Sequence, residues 1–205
     1  TWKHPAPSDG APVQIGFSTA GFQDNGPKGH PNTNWGAHHR QTPIPHVPDF
    51  WNHPERFIER LQAIGAKNFR FSIDRDRIQP SSNGKIHEVN LSRYAEIIRQ
   101  FKAAGIEPMV TLVHFCDPLY FSWEKEGDIK GLVDYASAVC EMLAREGVTK
   151  VITINEPTVP ASQGYAFPFG NFPPYKTNDF ETASLVLKNT MTAHNLMYDR
   201  IKKRH

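Results

Sequence analysis

The feature that most constrains the fold is a regular alternation of short β-branched or aromatic runs with longer amphipathic stretches. The helical periodicity of the longer stretches places apolar residues on one face of each. Four strand-helix units in this order predict parallel strands joined by right-handed crossovers, so we expect an α/β protein. The expected strands cover 13–22, 67–73, 108–114 and 150–154, and the expected helices cover 54–65, 90–105, 128–145 and 179–203.

Two architectures contain such units, an open doubly wound sheet and a (β/α)8 TIM barrel. A doubly wound sheet commonly carries a glycine-rich phosphate loop after its first strand, whereas here Gln23-Asp24-Asn25-Gly26 follows it. The predicted strands instead end on polar residues, namely Gln23, Asp74, His114 and Asn155 with Glu156. Polar groups at the ends of all four strands predict a common mouth, which favours the barrel.

Composition and charge exclude several classes of partner. Of the 205 residues, 39% are hydrophobic and 21% are charged, and the net charge is +2. This charge is too small to indicate nucleic-acid binding, and no apolar run approaches the ~20 residues that span a bilayer. The two cysteines, Cys116 and Cys140, lie too far apart for a metal or redox motif. We therefore expect free thiols in a reducing compartment, that is, a cytoplasmic protein.

A Pro-rich segment from Gln23 to about Asn52 is expected to be a long loop, and four of the histidines lie in or directly after it. They are His38, His39, His46 and His53. Histidine is a common zinc ligand, so one interpretation of this loop is a metal site. No cysteine or carboxylate joins these histidines at ligand spacing, and a solvated loop is the interpretation that the sequence favours.

The last predicted strand ends in Asn155-Glu156-Pro157. Catalytic groups of parallel barrels lie where strands end, so Glu156 is placed where such a fold performs chemistry. A carboxylate at this position could equally cap the helix that follows. The segment by itself leaves both roles open.

Five segments carry recognisable motifs in a fixed order. They are Thr19-Ala20-Gly21-Phe22-Gln23, Arg70-Phe71-Ser72-Ile73 with Arg77-Ile78 and Pro80, Thr111-Leu112-Val113-His114 with Pro118, Thr153-Ile154-Asn155-Glu156-Pro157, and Gly164-Tyr165 with Phe172-Pro173-Pro174 and Ala193-His194. Together they resemble the glycoside hydrolase family 1 of β-glucosidases and β-galactosidases. The resemblance covers nearly the whole chain in register.

The resemblance implies a retaining β-glycosidase whose site residues lie on several strands. In such enzymes one carboxyl group acts as acid and then base, while a second, about 5 Å away, attacks the anomeric carbon. By resemblance Glu156 is the acid/base and must be protonated near neutral pH. Asn155 would bind the sugar 2-hydroxyl, and Gln23 and His114 the other glycone hydroxyls. Arg70 would lie beside the nucleophile and favour its ionised form. No metal or cofactor is implied.

The nucleophile of this family lies in a Glu-Asn-Gly segment at the seventh strand, and the chain contains no such segment. A full barrel usually has ~250 residues, so residues 1–205 are expected to form the N-terminal half of a single (β/α)8 glycosidase barrel domain. The expected partners are a carbohydrate substrate and a complementary C-terminal half that carries the nucleophile. A homodimer of half-barrels is the weaker option, because it supplies two acids and no nucleophile. The alternative function is an inactive half-barrel that binds a sugar or a protein.

Half a barrel also leaves two open sheet edges and an uncovered inner face. We expect that outer helices alone cannot hide all of Phe69, Phe71, Ile73, Val110, Leu112, Val151 and Ile154, so that a further segment covers the rest. The chain also departs from the family pattern at its predicted cleft walls. Phe115 and Arg75 replace tryptophans, and Cys116 and Asp117 precede Pro118. These departures leave the sugar preference open.

Overall fold

The computed structural model describes residues 16–39 and 47–203, which build one parallel sheet with helices packed on it. The strands are β1 (Gly16–Ser18), β2 (Asn68–Ser72), β3 (Glu107–Val113) and β4 (Val151–Ile154). The helices are α1 (Gly21–Gly29), α2 (Asn34–His39), α3 (Pro54–Ala63), α4 (Arg75–Ile78), α5 (Glu88–Ala103), α6 (Ile129–Arg145), α7 (Val159–Ala161) and α8 (Phe180–Lys202). A 3-10 turn lies at Glu126–Asp128 and a π-helical turn at Ser162–Ala166.

The four strands follow chain order, β1-β2-β3-β4, and all neighbouring pairs are parallel. Parallel neighbours in chain order require one crossover each, and the helices α3, α5 and α6 lie on these connections. The prediction of an α/β fold with parallel strands is therefore confirmed. Because the carboxyl ends of all four strands lie at one edge of the sheet, the residues that follow them gather there.

The outer face of the sheet is apolar and buried. Phe69 and Phe71 stack with Phe101 of α5, and the register places Val110 beside Phe71 in the same row. Phe50 and Phe57 complete this aromatic cluster against the sheet. The clustering explains why β2 and β3 form here, since aromatic and β-branched residues pack well on a pleated surface.

Outer helices hide most, but not all, of these apolar residues. Five are buried because the pleat of β2 and β3 directs them at the helices; the five are Phe69, Phe71, Ile73, Val110 and Leu112. Of the other two, Val151 is half-buried, and Ile154 is buried although the register places it in the opposite row. The half-exposed positions lie in the opposite row, at Asn68, Arg70, Met109 and Ile152. This row faces the inside of a barrel, where side chains of opposite strands normally pack.

Three helices end on a glycine in the left-handed region, and at two of them, α3 and α5, the sequence predicts this end. Gly65 follows α3 with φ of 70° and Gly105 follows α5 with φ of 73°. Both positions were expected to close helices, and the positive φ explains the residue type, since glycine adopts it without a Cβ penalty. The start of α5 differs from the expected Asn90 or Ser92. His87 caps the helix by accepting a hydrogen bond from the Asn90 backbone N–H, so α5 begins earlier, at Glu88.

The expectations for 13–52 are only partly met. Strand β1 is shorter than predicted, and α1 and α2 replace part of the predicted loop; residues 13–15 and 40–46 lie outside the described part of the chain. Helix α1 is broken at Gly26, whose φ is 60° and ψ is −171°. The Thr33 hydroxyl accepts from the Gly36 N–H at the start of α2. Local propensity is weak here, so contacts with the rest of the fold decide the conformation.

Replacing Tyr135 by Phe tests how α6 holds the carboxyl ends of β2 and β3. The buried Tyr135 hydroxyl donates to the Ile73 carbonyl at 2.6 Å and lies 3.0 Å from the Leu112 carbonyl. Since both carbonyls lose this partner, we expect the free energy of unfolding to fall by about 1–2 kcal/mol in urea titrations. The control Tyr198→Phe, at a half-exposed ring, should change it by less than ~0.5 kcal/mol. Equal effects of both changes would contradict this assignment.

Two kinds of feature are absent from the described residues, 16–39 and 47–203. No helix within them is long and apolar enough to cross a membrane. Nor do they contain a group of three or more His, Cys, Asp or Glu side chains placed to hold a metal ion. Of the four histidines considered as metal ligands, His38 packs its ring on Tyr175, and the His53 ring hydrogen-bonds the Glu55 carboxylate at the start of α3. His46 and the side chain of His39 lie outside the described part of the chain.

Candidate active site

A cleft of about 560 Å³ opens at the carboxyl ends of the four strands. All five side chains that were singled out from the sequence line it: Gln23, Arg70, His114, Asn155 and Glu156. They come from α1, β2 and the segments that follow β3 and β4. The parallel sheet therefore brings together residues that are up to 133 positions apart along the chain, 156 minus 23.

Arg70 and Asn155 form the central polar contact of the cleft. The Arg70 Nη2 group donates to Asn155 Oδ1 at 2.5 Å. The Asn155 backbone N–H donates to the Val113 carbonyl, so the end of β3 fixes the amide in place. The buried Arg70 Nε has no hydrogen-bond partner among the described residues. A buried guanidinium nitrogen without a partner is a donor left for an oxygen that the described residues do not supply.

His114 is held in the cleft wall as a neutral ring. Its Nδ1 lies 2.9 Å from the Ser72 hydroxyl. Burial, together with the nearby positive charge of Arg70, lowers the pKa of His114 from 6.5 to about 4. Because the Ser72 hydroxyl is hydrogen-bonded to Nδ1, the other ring nitrogen, Nε2, is the atom available to a ligand. A neutral imidazole can donate or accept a single hydrogen bond at that atom, which suits a sugar hydroxyl.

The neutral state of His114 gives an expected result in an NMR titration. The His114 ring should not become protonated until the pH falls to about 4. The unfolded chain binds this proton near pH 6.5, so the folded state loses stability as the pH falls from 6.5 toward 4. A His114 ring that titrates at pH 6 or above would contradict the burial and the Arg70 contact.

Glu156 stands at the rim of the cleft with a strained backbone. Its φ is 42°, in the left-handed region that few non-glycine residues adopt, and its side chain is exposed. The described residues donate no hydrogen bond to its carboxylate, and α7 begins after Thr158 without a side-chain cap. Glu156 therefore does not cap the helix that follows, which was one of the two roles that the sequence left open. Strain of this kind persists mainly at functional positions.

The aromatic wall of the cleft was not predicted as a unit. Trp35 and Phe115 each meet Phe172 edge to face, with ring centroids 5.0 Å and 5.1 Å apart. Phe22 packs on the other side of Trp35 at 5.8 Å. These rings come from four separate segments, so no local pattern joins them. The only signal in the sequence is the pairing of Phe172 with two prolines, which marks a rigid turn.

The other carboxylates near the mouth are used elsewhere. Asp117 accepts from the Trp123 indole N–H at 3.0 Å, and Asp74 accepts from the Tyr94 hydroxyl at 3.0 Å. Both are buried and neither lines the cleft. Glu124 lies farther out, where Tyr165 and Lys176 bond it. Among the described residues, Glu156 is therefore the carboxylate that lines the cleft.

A family model described as "Glycosyl hydrolase family 1" matches residues 32–205. The chain belongs to glycosyl hydrolase family 1. This membership confirms the resemblance inferred from the five motifs.

Curated members of family 1 align with most of this chain but only with part of their own length. The 6-phospho-beta-galactosidase of Clostridium acetobutylicum is 31% identical over 150 residues, which are 71% of this chain and 31% of that protein. The 6-phospho-beta-glucosidase GmuD of Bacillus subtilis is 32% identical over 146 residues, covering 69% and 30%. The chain thus spans about a third of these relatives.

Solved family 1 structures show the same partial coverage. A beta-glycosidase from Pyrococcus horikoshii superposes with a TM-score of 0.79 at 29% identity, covering 91% of this chain and 44% of that one. The beta-glucosidase from Thermotoga maritima in complex with glucoimidazole gives a TM-score of 0.80 at 26% identity, covering 93% and 46%. The four strand-helix units are therefore part of a (β/α)8 barrel, and the doubly wound alternative is excluded.

Proposed function

We propose that this chain is the acid/base half of a retaining β-glycosidase that hydrolyses β-glucosides or β-galactosides. The observation that carries the proposal is the convergence of Glu156, Asn155 and Arg70 at one rim of a single cleft. Residues 1–205 form the N-terminal half of one barrel domain in this proposal. Family membership and the names of the relatives support the reaction class.

Glu156 is the proton donor to the leaving group and then the base that activates water. Its exposed carboxylate at the cleft rim supports this role, since the group must reach a glycosidic oxygen that enters from outside. The adjacent Asn155 binds the sugar 2-hydroxyl, a contact that strengthens in the transition state. Arg70 holds that amide through its Nη2 contact and keeps its unpaired Nε for the nucleophile.

Gln23 and His114 bind the remaining glycone hydroxyls in this proposal. The Gln23 amide donates and accepts together, which suits neighbouring hydroxyl groups. The neutral His114 ring adds one further hydrogen bond without a charge to desolvate. The rings of Trp35, Phe115 and Phe172 supply the apolar wall that small-molecule sites commonly need.

The nucleophile comes from a complementary C-terminal half, as the continuation of this chain or as a separate polypeptide. The inner face of the sheet supports this part of the proposal. Thr111 Oγ1 and Arg70 Nε are buried there without a hydrogen-bond partner among the described residues. At the β1 edge, Phe17 remains 49% exposed although its neighbour in register, Phe69, is buried. In a closed barrel, opposite strands cover the inner positions, and the last strand-helix unit covers the β1 edge.

The far flank of α8 offers the second contact surface. One face of α8 packs on α6 and β4 through buried residues that include Val186 and Met197. A separate face carries an exposed apolar row at helical spacing, here named the α8 stripe: Phe180, Leu187, Met191 and Tyr198. Each helix of a barrel packs between its two neighbours in the outer ring, so the helix of the fifth unit is the occupant that fits the stripe.

Native isolation followed by intact-mass measurement tests the proposal. We expect a Glu-Asn-Gly segment to be present, either within the same polypeptide or in a second one that co-purifies. That material should hydrolyse an aryl β-glucoside with retention of anomeric configuration. A lone 205-residue monomer that binds sugar but does not hydrolyse the glycoside would overturn the proposal in favour of the inactive binding module.

A further inference from the structure

A cluster of buried charged groups lies behind the first turn of α1, outside the cleft. The His30 side chain is fully buried, and those of Asp74 and Asp76 are 3% and 8% exposed. His30 Nδ1 lies 3.1 Å from Asp76 Oδ1, and His30 Nε2 lies 3.3 Å from Asp74 Oδ2. The Asp74 carboxylate also lies 3.6 Å from Arg77 Nε. The proposed reaction uses none of these groups.

The His30 ring bonds acceptors through both of its nitrogens. Burial lowers the pKa of His30, but Asp74, Cys116 and Asp76 act in the opposite direction and hold it well above its usual 6.5. A charged imidazolium donates from both nitrogens, which matches two carboxylates on opposite sides of the ring. A buried charge network of this kind adds little net stability compared with apolar packing. Its value lies in specifying one arrangement of the segments that it joins.

This network holds the residues on either side of Gln23. The Gly21 carbonyl lies 3.3 Å from His30 Nε2 and accepts from Asn25 Nδ2 at 3.2 Å. A Cβ at Gly21 would lie 2.0 Å from Asp74 Oδ1, so only glycine permits this approach. Asp24, adjacent to Gln23, is buried, whereas Gln23 itself is exposed in the cleft.

The turn that carries Gln23 has little stability of its own. Its N-cap, Ala20, provides no side-chain hydrogen bond, and Gly26 breaks the helix after its first turn. An isolated single turn does not persist in water. Outside contacts must therefore fix it. On one side they are His30 and Asp74, and on the other the Trp51 backbone N–H, which donates to Asn25 Oδ1 at 2.9 Å.

We propose that His30 and Asp74 are positioning residues that fix the turn of Gln23, so that its amide meets the glycone hydroxyls. The inference rests on the proposed glycosidase function, in which Gln23 touches the sugar. A misplacement of about 1 Å costs up to ~100-fold in rate when a group must align with substrate. Neutralising the pair should therefore weaken catalysis mainly through Gln23.

A double-mutant cycle tests this assignment in the completed enzyme, that is, this chain together with the C-terminal half that carries the nucleophile. His30→Gln alone should lower kcat/KM for an aryl β-glucoside about tenfold, whereas on a Gln23→Ala background the same change should cost less than about twofold. Thr190→Val is the matched control, since it removes a buried hydrogen bond to the Val186 carbonyl within α8 and should be additive with Gln23→Ala. Additive effects of His30→Gln and Gln23→Ala would overturn the proposal.

Hydrogen exchange of the backbone amides of Asp24 and Asn25 provides a readout that needs no activity. It should accelerate about tenfold or more in His30→Gln and remain unchanged in Thr190→Val. An inactive wild type defeats the proposed function, whereas an active wild type with unchanged exchange in His30→Gln defeats only the positioning role. If His30→Gln does not fold, the same double-mutant cycle is run with Asp74→Asn, which retains the shape of the Asp74 side chain. Failure of both variants to fold would show a requirement for folding itself and overturn the proposal.

Discussion

Replacing Glu156 by Gln in the completed enzyme is expected to lower kcat about 1,000-fold for a β-glucoside with a poor leaving group. Gln keeps the shape of the side chain but has no proton to give to the departing oxygen. A substrate with a highly activated aryl leaving group needs little protonation, so its first step should be nearly unaffected. The second step still lacks a base to activate water, and a covalent sugar ester should accumulate. Stopped-flow burst kinetics with both substrates measures the two effects separately.

Azide separates loss of the base from general damage to the site. A small anionic nucleophile needs no base, so azide should restore turnover of the activated substrate by Glu156→Gln and yield a β-glycosyl azide. Glu124→Gln is the matched control, because Glu124 lies outside the cleft where Tyr165 and Lys176 bond it. It should retain activity within about twofold. Full activity of Glu156→Gln on the poor leaving group would remove Glu156 from the reaction.

Placing two charges on the α8 stripe is expected to weaken assembly with the complementary half by more than about 100-fold. The variant combines Leu187→Asp with Met191→Asp, at side chains that are 37% and 41% exposed in this chain. A carboxylate buried against an apolar helix without a partner costs several kcal/mol, so ~100-fold is a conservative expectation. The dissociation constant is measured by titration with the second half supplied as a separate polypeptide.

The control for this variant is an equal change at an exposed apolar position elsewhere. Val89→Asp on α5 adds a charge at a side chain that is 74% exposed and away from the stripe. It should leave the dissociation constant within about twofold of wild type. Unchanged assembly of the stripe variant, with normal folding, would show that another surface receives the complementary half.

The sequence predicts the later part of the fold well because its elements carry their own signals. The aromatic and β-branched residues around Phe69 and Val110 indicate strands, and Gly65 and Gly105 mark helix ends by their positive φ. Arg70 lies in β2, and His114 and Asn155 follow β3 and β4 of the same parallel sheet, so their convergence in one cleft was predictable from topology. The roles assigned to them remain predictions.

The sequence predicts the first part of the chain poorly because contacts that are distant in sequence decide it. Helices α1 and α2 lack an apolar periodicity, and the turn before Gly26 depends on His30 and Asp74 instead. The sequence does not tell which of the seven apolar strand residues face the outer helices, because the direction of the pleat cannot be assigned before the register is known. The aromatic wall around Phe172 joins separate segments and was missed for the same reason.

The distance between Glu156 and the second carboxyl group tests the central claim most directly. In a crystal structure of the completed enzyme, we predict a carboxylate of the complementary half about 5 Å from the Glu156 carboxyl, on the side of Arg70 Nε. That separation is the one at which a retaining glycosidase forms its covalent intermediate. A separation of about 6.5–9.5 Å, which leaves room for an attacking water, or a cleft that contains no second carboxylate, would contradict the account.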